Sequence, residues 1–186
     1  MMKNNSKNLE TIYEIASILL TAVVAVGIIF TFLFKVSTVS GQSMENTLQN
    51  GDNLLITSIT SEINPGDVVV ISQPNGYEKV LIKRVIAVGG QTISFDSKTG
   101  KTMINGEIID EPYIKEEAKY TYAMTKTYTV PDGKIFVMGD NRNHSADSRD
   151  VMVGMIDEDY VMGKVIYRIG DTQLFDSELK ESKNGW

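Results

Sequence analysis

The sequence predicts a mainly β domain, with coiled or barrel-like sheets, behind a single N-terminal transmembrane helix. Two patterns predict it. Residues 15–34 carry no charge and are dominated by Leu, Val, Ile, Ala and Phe. From residue 36 onward, short apolar runs alternate with Gly, Pro, Asn and Asp, and helical periodicity is weak.

Residues 1–14 are polar, with Lys3 and Lys7 offset by Glu10 and Glu14, and read as a short cytoplasmic N-terminus. Twenty apolar residues at ~1.5 Å rise span a hydrocarbon core of about 30 Å, so 15–34 reads as the membrane span, closed by Lys35. A cleavable leader is the rival reading, since Thr38-Val39-Ser40 offers small residues at a cut, but leader cores run only ~7–15 residues. The amino-terminal lysines favour a single-pass protein with its N-terminus in the cytoplasm and its domain outside, while Lys35 pulls the other way.

Strands are expected at 53–56, 67–71, 79–88, 92–95, 134–138 and 161–169. Turns fall at Asn50-Gly51-Asp52, Asn64-Pro65-Gly66-Asp67, Pro74-Asn75-Gly76, Gly89-Gly90 and Pro131-Asp132-Gly133. Residues 103–109 read as a tight hairpin with Asn105-Gly106 at its two-residue tip. Residues 111–129, charged and without period, read as a surface excursion with ragged strands. The β domain is expected over 36–172, with a polar tail at 173–186.

The net charge of -6 argues against a nucleic-acid partner. With no cysteine there is no disulfide, thiolate metal site or Cys nucleophile, and one histidine, His144, gives a Ser-His-Asp triad or a His-rich metal site little to build on. No metal or cofactor is implied.

Candidate chemistry lies in three segments. Ser43 sits in the polar stretch Ser40-Gly41-Gln42-Ser43-Met44-Glu45-Asn46-Thr47-Leu48. A serine hydroxyl needs a base, and a lysine can serve if burial lowers its pKa of about 10.4 by several units. Lys83 has the surroundings for that. In a strand, Leu81, Lys83, Val85 and Ala87 share one face, while Val80, Ile82, Ile86 and Val88 surround Arg84 on the other. The competing reading is an edge-strand lysine that reaches water, and it must then place two adjacent cations in the most apolar strand of the domain. In Gly139-Asp140-Asn141-Arg142-Asn143-His144-Ser145-Ala146-Asp147-Ser148-Arg149 the charges alternate in sign, as in a solvated turn or in an ion-paired loop that leaves Ser145 free to orient Lys83.

Together these segments resemble the type I (bacterial leader) signal peptidases, serine–lysine proteases that release exported proteins from the membrane. Ser40 to Leu48 is similar to the family's nucleophile box, Lys83-Arg84-Val85-Ile86 to its lysine box, Asn64-Pro65-Gly66-Asp67-Val68-Val69-Val70 to the strand box between them, and Gly139-Asp140-Asn141-Arg142 with Ser145-Ala146-Asp147-Ser148-Arg149 to its carboxy-terminal box. The resemblance covers residues 36–169 in the family's order. It implies Ser43 as nucleophile, Lys83 as general base and Ser145 as the group orienting Lys83. Asp140, Arg142, Asp147 and Arg149 would hold the site together. The Ser43 backbone N–H would serve the oxyanion hole. Met44 would pack beside the site near the lipid, with a plain core methionine as the equal reading. The implied substrates are secretory preproteins with small residues before the cut, met at the lipid bilayer.

The chain departs from the pattern at three places. Gly41 stands where some members carry a serine hydroxyl, Asn46 where proline is usual, and Gly89-Gly90-Gln91 where Pro-Gly-Asp often follows the lysine strand. His144 reads as a solvent-side loop residue. Two rival functions remain: a self-cleaving Ser–Lys repressor protease, opposed by the apolar segment and the acidic charge, and an inactive membrane-anchored β domain used for binding or assembly.

Overall fold

In a computed structural model, the structure describes residues 2–58, 62–72, 77, 79–119 and 122–170. The expected turn at Pro74-Asn75-Gly76 and the tail at 173–186 lie outside the described residues. Contacts divide the chain after Lys35. The first unit is helix α1 (Met2–Leu33), which extends through the polar N-terminus as well as the apolar run. Its Glu10–Leu33 portion is long and apolar enough to cross a membrane. Phe34, expected at the end of the span, instead opens a strand.

The second unit is mainly β. Strand β1 (Phe34–Thr38) starts just before the division and runs into this unit, whose other strands are β2 (Asn53–Thr57), β3 (Val68–Ile71), β4 (Leu81–Val88), β5 (Thr92–Phe95), β6 (Thr102–Ile104), β7 (Glu107–Ile108), β8 (Tyr128–Thr129), β9 (Lys134–Met138), β10 (Ile156–Asp157) and β11 (Val161–Arg168). The six expected strands are present with small shifts at their ends, β8 lies in the stretch expected to hold ragged strands, and β1 and β10 are additions. Seven strands curl into a half-barrel in the order β1-β2-β11-β3-β4-β9-β10, and four form a smaller sheet in the order β7-β6-β5-β8. The expected hairpin pairs Met103 with Ile108 and Ile104 with Glu107. Asn105 and Gly106 both have positive φ, 52° and 87°, which is why the tip needs Asn-Gly.

Strand β4 is central because both of its faces are covered. Leu81 and Val85 join Val69, Ile71, Ile135 and Val137 in one apolar cluster. A register shift against β9 between Val85 and Ala87 then turns Ala87 out of that face. Ile86 and Ala87 instead pack with Ile93, Phe95, Met124 and Phe136 at the seam between the two sheets. The shared face expected from alternation therefore holds for Leu81, Lys83 and Val85 and stops there. Val80, expected on the other face, precedes the strand and is exposed.

Residues 111–129 are less superficial than expected. Ala118 and Met124 are buried in the seam, and the Glu111 side chain is 5% exposed against Arg142. The segment shows no period because it is anchored by separate side chains rather than by one strand or helix face. Met124 tests the seam. Met124→Ala should lower unfolding free energy by about 2–5 kcal/mol, read as a shifted urea midpoint with unchanged slope in circular dichroism.

Candidate active site

The stretch around Ser43 is a tight turn pinned from below. Gly41 has φ +107° and donates its N–H to Asn50 Oδ1 at 2.9 Å, a backbone setting that favours glycine. Leu48 N–H donates to Met44 O at 2.8 Å, so Met44 and Leu48 point the same way. Both are buried, 2% and 0% exposed, in a cluster with Val39, Leu54, Ile56, Val68 and Val70. Of the two readings for Met44, the core one describes its burial, and its edge also lines the cleft described below. Driving these two residues into the core leaves Ser43 half-buried at the crest.

Lys83 reaches that crest from β4, where it lies opposite Val69 of β3. It is 3% exposed, and its Nζ donates to Ser43 Oγ at 2.7 Å and to Ile82 O at 3.1 Å. Burial dominates its titration and lowers the pKa to about 8, against the charges of Asp147 and Asp140, which favour the ammonium. The residue does not reach out to water.

The 139–149 segment is no solvated turn. Asp140, Asn141, Arg142, Asp147 and Ser148 are all buried. Asn141 N–H donates to Ser43 O at 3.0 Å, and its Nδ2 donates to Gln42 O at 3.0 Å, so this segment carries the Ser43 turn directly. Gly139 permits the approach: a Cβ there would stand 2.4 Å from both Ser43 O and Ser145 Oγ. The alternating charges pair only partly within the segment. Asp147 takes Nε and Nη2 of Arg149, both at 2.8 Å, and Arg149 also donates to Arg142 O at 2.7 Å. Burial raises the Asp147 pKa, but the bonds from Arg149 outweigh it and leave the carboxyl below its ordinary value.

The other two charges reach outward. Asp140 is held by Arg84, whose Nε and Nη2 donate to its two oxygens at 2.9 and 2.7 Å. Arg84 is itself buried, also donates to Gly66 O at 2.9 Å, and lies 4.0 Å from the centroid of the Tyr113 ring. Thr47 Oγ1 completes the group by donating to Asp140 Oδ2. Arg142 pairs with Glu111 through both terminal nitrogens and donates to Thr102 Oγ1 at 3.1 Å. Burial raises the Glu111 pKa, yet the Arg142 pairing prevails and holds it below the usual carboxylate value.

Ser145 packs against Gly139 beside the Ser43 carbonyl. Its Oγ is buried and makes no hydrogen bond; it stands close enough to favour the charge of Asp147 without meeting it in hydrogen-bond geometry. The contact expected between Ser145 and Lys83 is therefore not formed here. A cleft of about 590 Å³ opens onto the Ser43–Lys83 pair, lined by residues 37–44 on one side and by Tyr77, Lys79, Val80, Leu81 and Ile82 on the other. His144 and Ala146 also line it, so His144 faces this cleft while remaining exposed.

The structure thus brings Ser43 and Lys83 into contact and gathers Asp140, Arg142, Ser145, Asp147 and Arg149 behind them. Sequence reading missed four participants. Arg84 was visible as the second cation of an apolar strand; Thr47, Glu111 and Tyr113 gave only composition. Among the described residues, no cluster of His, Asp or Glu has a metal-binding arrangement.

Comparison with known proteins gives the family of the chain. The family profile described as signal peptidase, peptidase S26, matches residues 12–169. The chain is 37% identical over 171 residues to the signal peptidase I of Bacillus licheniformis, covering 86% of this chain and 88% of that one. It is 35% identical over 173 residues to signal peptidase I T of Bacillus subtilis, covering 87% and 86%. A crystal structure of a signal peptidase I from Enterococcus faecalis aligns at 25% identity with a TM-score of 0.47, over 56% of this chain and 97% of that one. By the reach of the family profile and the identity to these relatives, the chain belongs to the signal peptidase family, peptidase S26.

Proposed function

We propose that this protein is a membrane-anchored serine endopeptidase that removes N-terminal signal peptides from secretory preproteins with Ser43 as nucleophile and Lys83 as general base. One observation carries the reading: the buried Lys83 Nζ stands 2.7 Å from Ser43 Oγ with its pKa lowered to about 8. In its neutral form Nζ takes the Ser43 proton as Oγ attacks the carbonyl before the cut. The resulting ammonium returns that proton to the departing amine of the mature chain, leaving an acyl ester on Ser43. Neutral again, Lys83 deprotonates a water that attacks the ester, and its proton restores Ser43 on release of the signal peptide.

The Ser43 backbone N–H serves the oxyanion, and Gly41 supplies no hydroxyl to help it. Ser145, whose buried hydroxyl has no partner, is free to hydrogen-bond Nζ and orient it. Asp140, Arg142, Asp147 and Arg149 hold the segment that carries the Ser43 turn. The cleft accepts preproteins with small residues at the first and third positions before the cut. Residues 1–14 lie in the cytoplasm, the apolar run from 15 to the helix end at Leu33 spans the membrane, and the domain from 36 onward lies outside. Confinement to the bilayer raises the effective concentration of enzyme and substrate for each other.

Cleavage of a purified preprotein by the detergent-solubilised protein is the direct test. Ser43→Ala and Lys83→Ala should each reduce turnover by at least ~1,000-fold, given that a nucleophile or its base is removed. Either mutant at full activity would overturn the Ser43–Lys83 mechanism, whereas a parent protein that does not cleave would return the domain to a binding or assembly role.

The pH dependence follows from the sign of the lysine shift. Because the reacting form of Lys83 is neutral, kcat/KM should climb as pH rises through about 8. An acidic limb above pH 10 would mean that the lysine is not buried in the working enzyme.

Stability should rise with pH as activity does. Lowering a lysine pKa from 10.5 to about 8 costs the fold about 3 kcal/mol, fully present below pH 8, relieved progressively between pH 8 and 10.5, and absent above 10.5, where both states are neutral. Lys83→Met should therefore be inactive yet more stable than the parent at pH 7 by about 1–3 kcal/mol, measured by urea unfolding, with the advantage gone above pH 10.5. An unchanged or lowered midpoint at pH 7 would contradict this.

A further inference from the structure

The Ser43 turn is only as well placed as the 139–142 segment that carries it, and that segment is held on its far side by the connection between β7 and β8. Every second side chain of residues 111–115 touches it or its partners. Glu111 pairs with Arg142, the Tyr113 ring lies against Arg84, and Lys115 donates its N–H to Asp140 O at 3.0 Å while its Nζ pairs with Glu45 of the nucleophile turn at 2.7 Å. Farther on, Lys119 N–H donates to Asn143 Oδ1 and Asn143 Nδ2 donates to Glu116 Oε1, both at 2.8 Å.

Tyr113 joins the two buried ion pairs. Its hydroxyl donates to Glu111 Oε1 at 2.9 Å, while its ring faces the guanidinium that clamps Asp140. Burial pushes the phenol well above its ordinary pKa, so it stays a neutral donor. None of residues 111–119 lines the cleft, so they act on the reaction through the residues they hold.

We propose that Glu111 and Tyr113 are positioning residues for peptide cleavage: the β7–β8 connection is a brace that keeps Asp140 on Arg84 and Arg142 on Glu111, and thereby holds the Ser43 turn against Lys83. This rests on the Ser43–Lys83 reading. Glu111→Gln leaves the Arg142 charge uncompensated. Asp140, the other carboxylate acting on Arg142, is then drawn from Arg84 and away from Lys83. The charges around Lys83 are Asp147, Asp140 and Arg149, and loss of either acid lowers its pKa further.

The test uses the full-length protein in detergent with a purified preprotein, measuring kcat, KM, the pH profile and the melting curve of each variant. Glu111→Gln should lower kcat at least tenfold with KM within about twofold, since misplacing a reacting group by about 1 Å costs about 100-fold. Its acidic limb should move below that of the parent, and Glu111→Asp should recover most of kcat. Tyr113→Phe keeps the ring and the volume and loses only the bond to Glu111; it should fold normally and lose about threefold in kcat. Should Glu111→Gln fail to fold, Tyr113→Phe decides alone. The brace is overturned if Tyr113→Phe keeps the parent kcat, or if Glu111→Gln loses activity only in proportion to its folded fraction with its acidic limb unmoved. Ser43→Ala and Lys83→Ala run in parallel: inactivity there with parent-like brace variants rejects the brace alone, whereas activity there rejects the Ser–Lys reading beneath it.

Discussion

A lysine amine held 2.7 Å from a serine hydroxyl, with 3% of the residue exposed, is the constraint that the β domain is built around. Such an amine needs apolar matter on every side and an attachment that does not let it reach solvent. Strand β4 meets both needs because it lies inside the seven-stranded sheet, between β3 and β9, with its faces covered by separate apolar clusters. The serine must then be delivered to the amine, which is why the turn carrying it is nailed down by Met44 and Leu48 and tied to a second segment through its own carbonyl.

That second segment raises an energetic problem of its own. Burying Asp140, Arg142 and Asp147 removes three charges from water, each costing several kcal/mol unless matched. The matching is close: two carboxylates receive two guanidinium nitrogens each from Arg84 and Arg149, and Arg142 faces Glu111. Such pairs add little net stability. What they supply is geometry, since a planar guanidinium on a carboxylate fixes distance and direction together. The arrangement places the fixed charges at the back of the site and leaves the titrating group at the front.

Much of this was legible in the sequence, and the reasons differ by element. Six strands were marked by β-branched runs between turn residues, and the Asn105-Gly106 tip by a dipeptide that accepts two positive φ values cheaply. Strands β1 and β10 were not: β1 starts at the end of the apolar run read as the span, and β10, with two residues, takes its state from pairing with β9. Alternation along β4 placed Lys83 among apolar residues correctly, and failed at Ala87, where a bulge depends on pairing with β9 that no local pattern encodes. The charges of 139–149 were readable as an ion-paired loop. Their partners were not, since Glu111 and Arg84 lie 31 and 56 residues away from Arg142 and Asp140. Burial of Glu111 and Tyr113 follows from those distant partners, and so escaped a reading based on periodicity.

The composition of the site has a consequence for the chemical environment the protein tolerates. Oxidants convert thiolates to sulfenic and higher acids and methionine thioethers to sulfoxides. The pair at this crest is an alcohol and an amine, neither on that ladder, and the chain has no cysteine anywhere. The Met44 thioether beside the pair lines the cleft only by its edge, at 2% exposure. Peroxide or a shifting thiol–disulfide balance therefore finds no thiol and no well-exposed thioether in the Ser43–Lys83 pair or its turn, and the pair keeps its composition under conditions that would silence a cysteine protease.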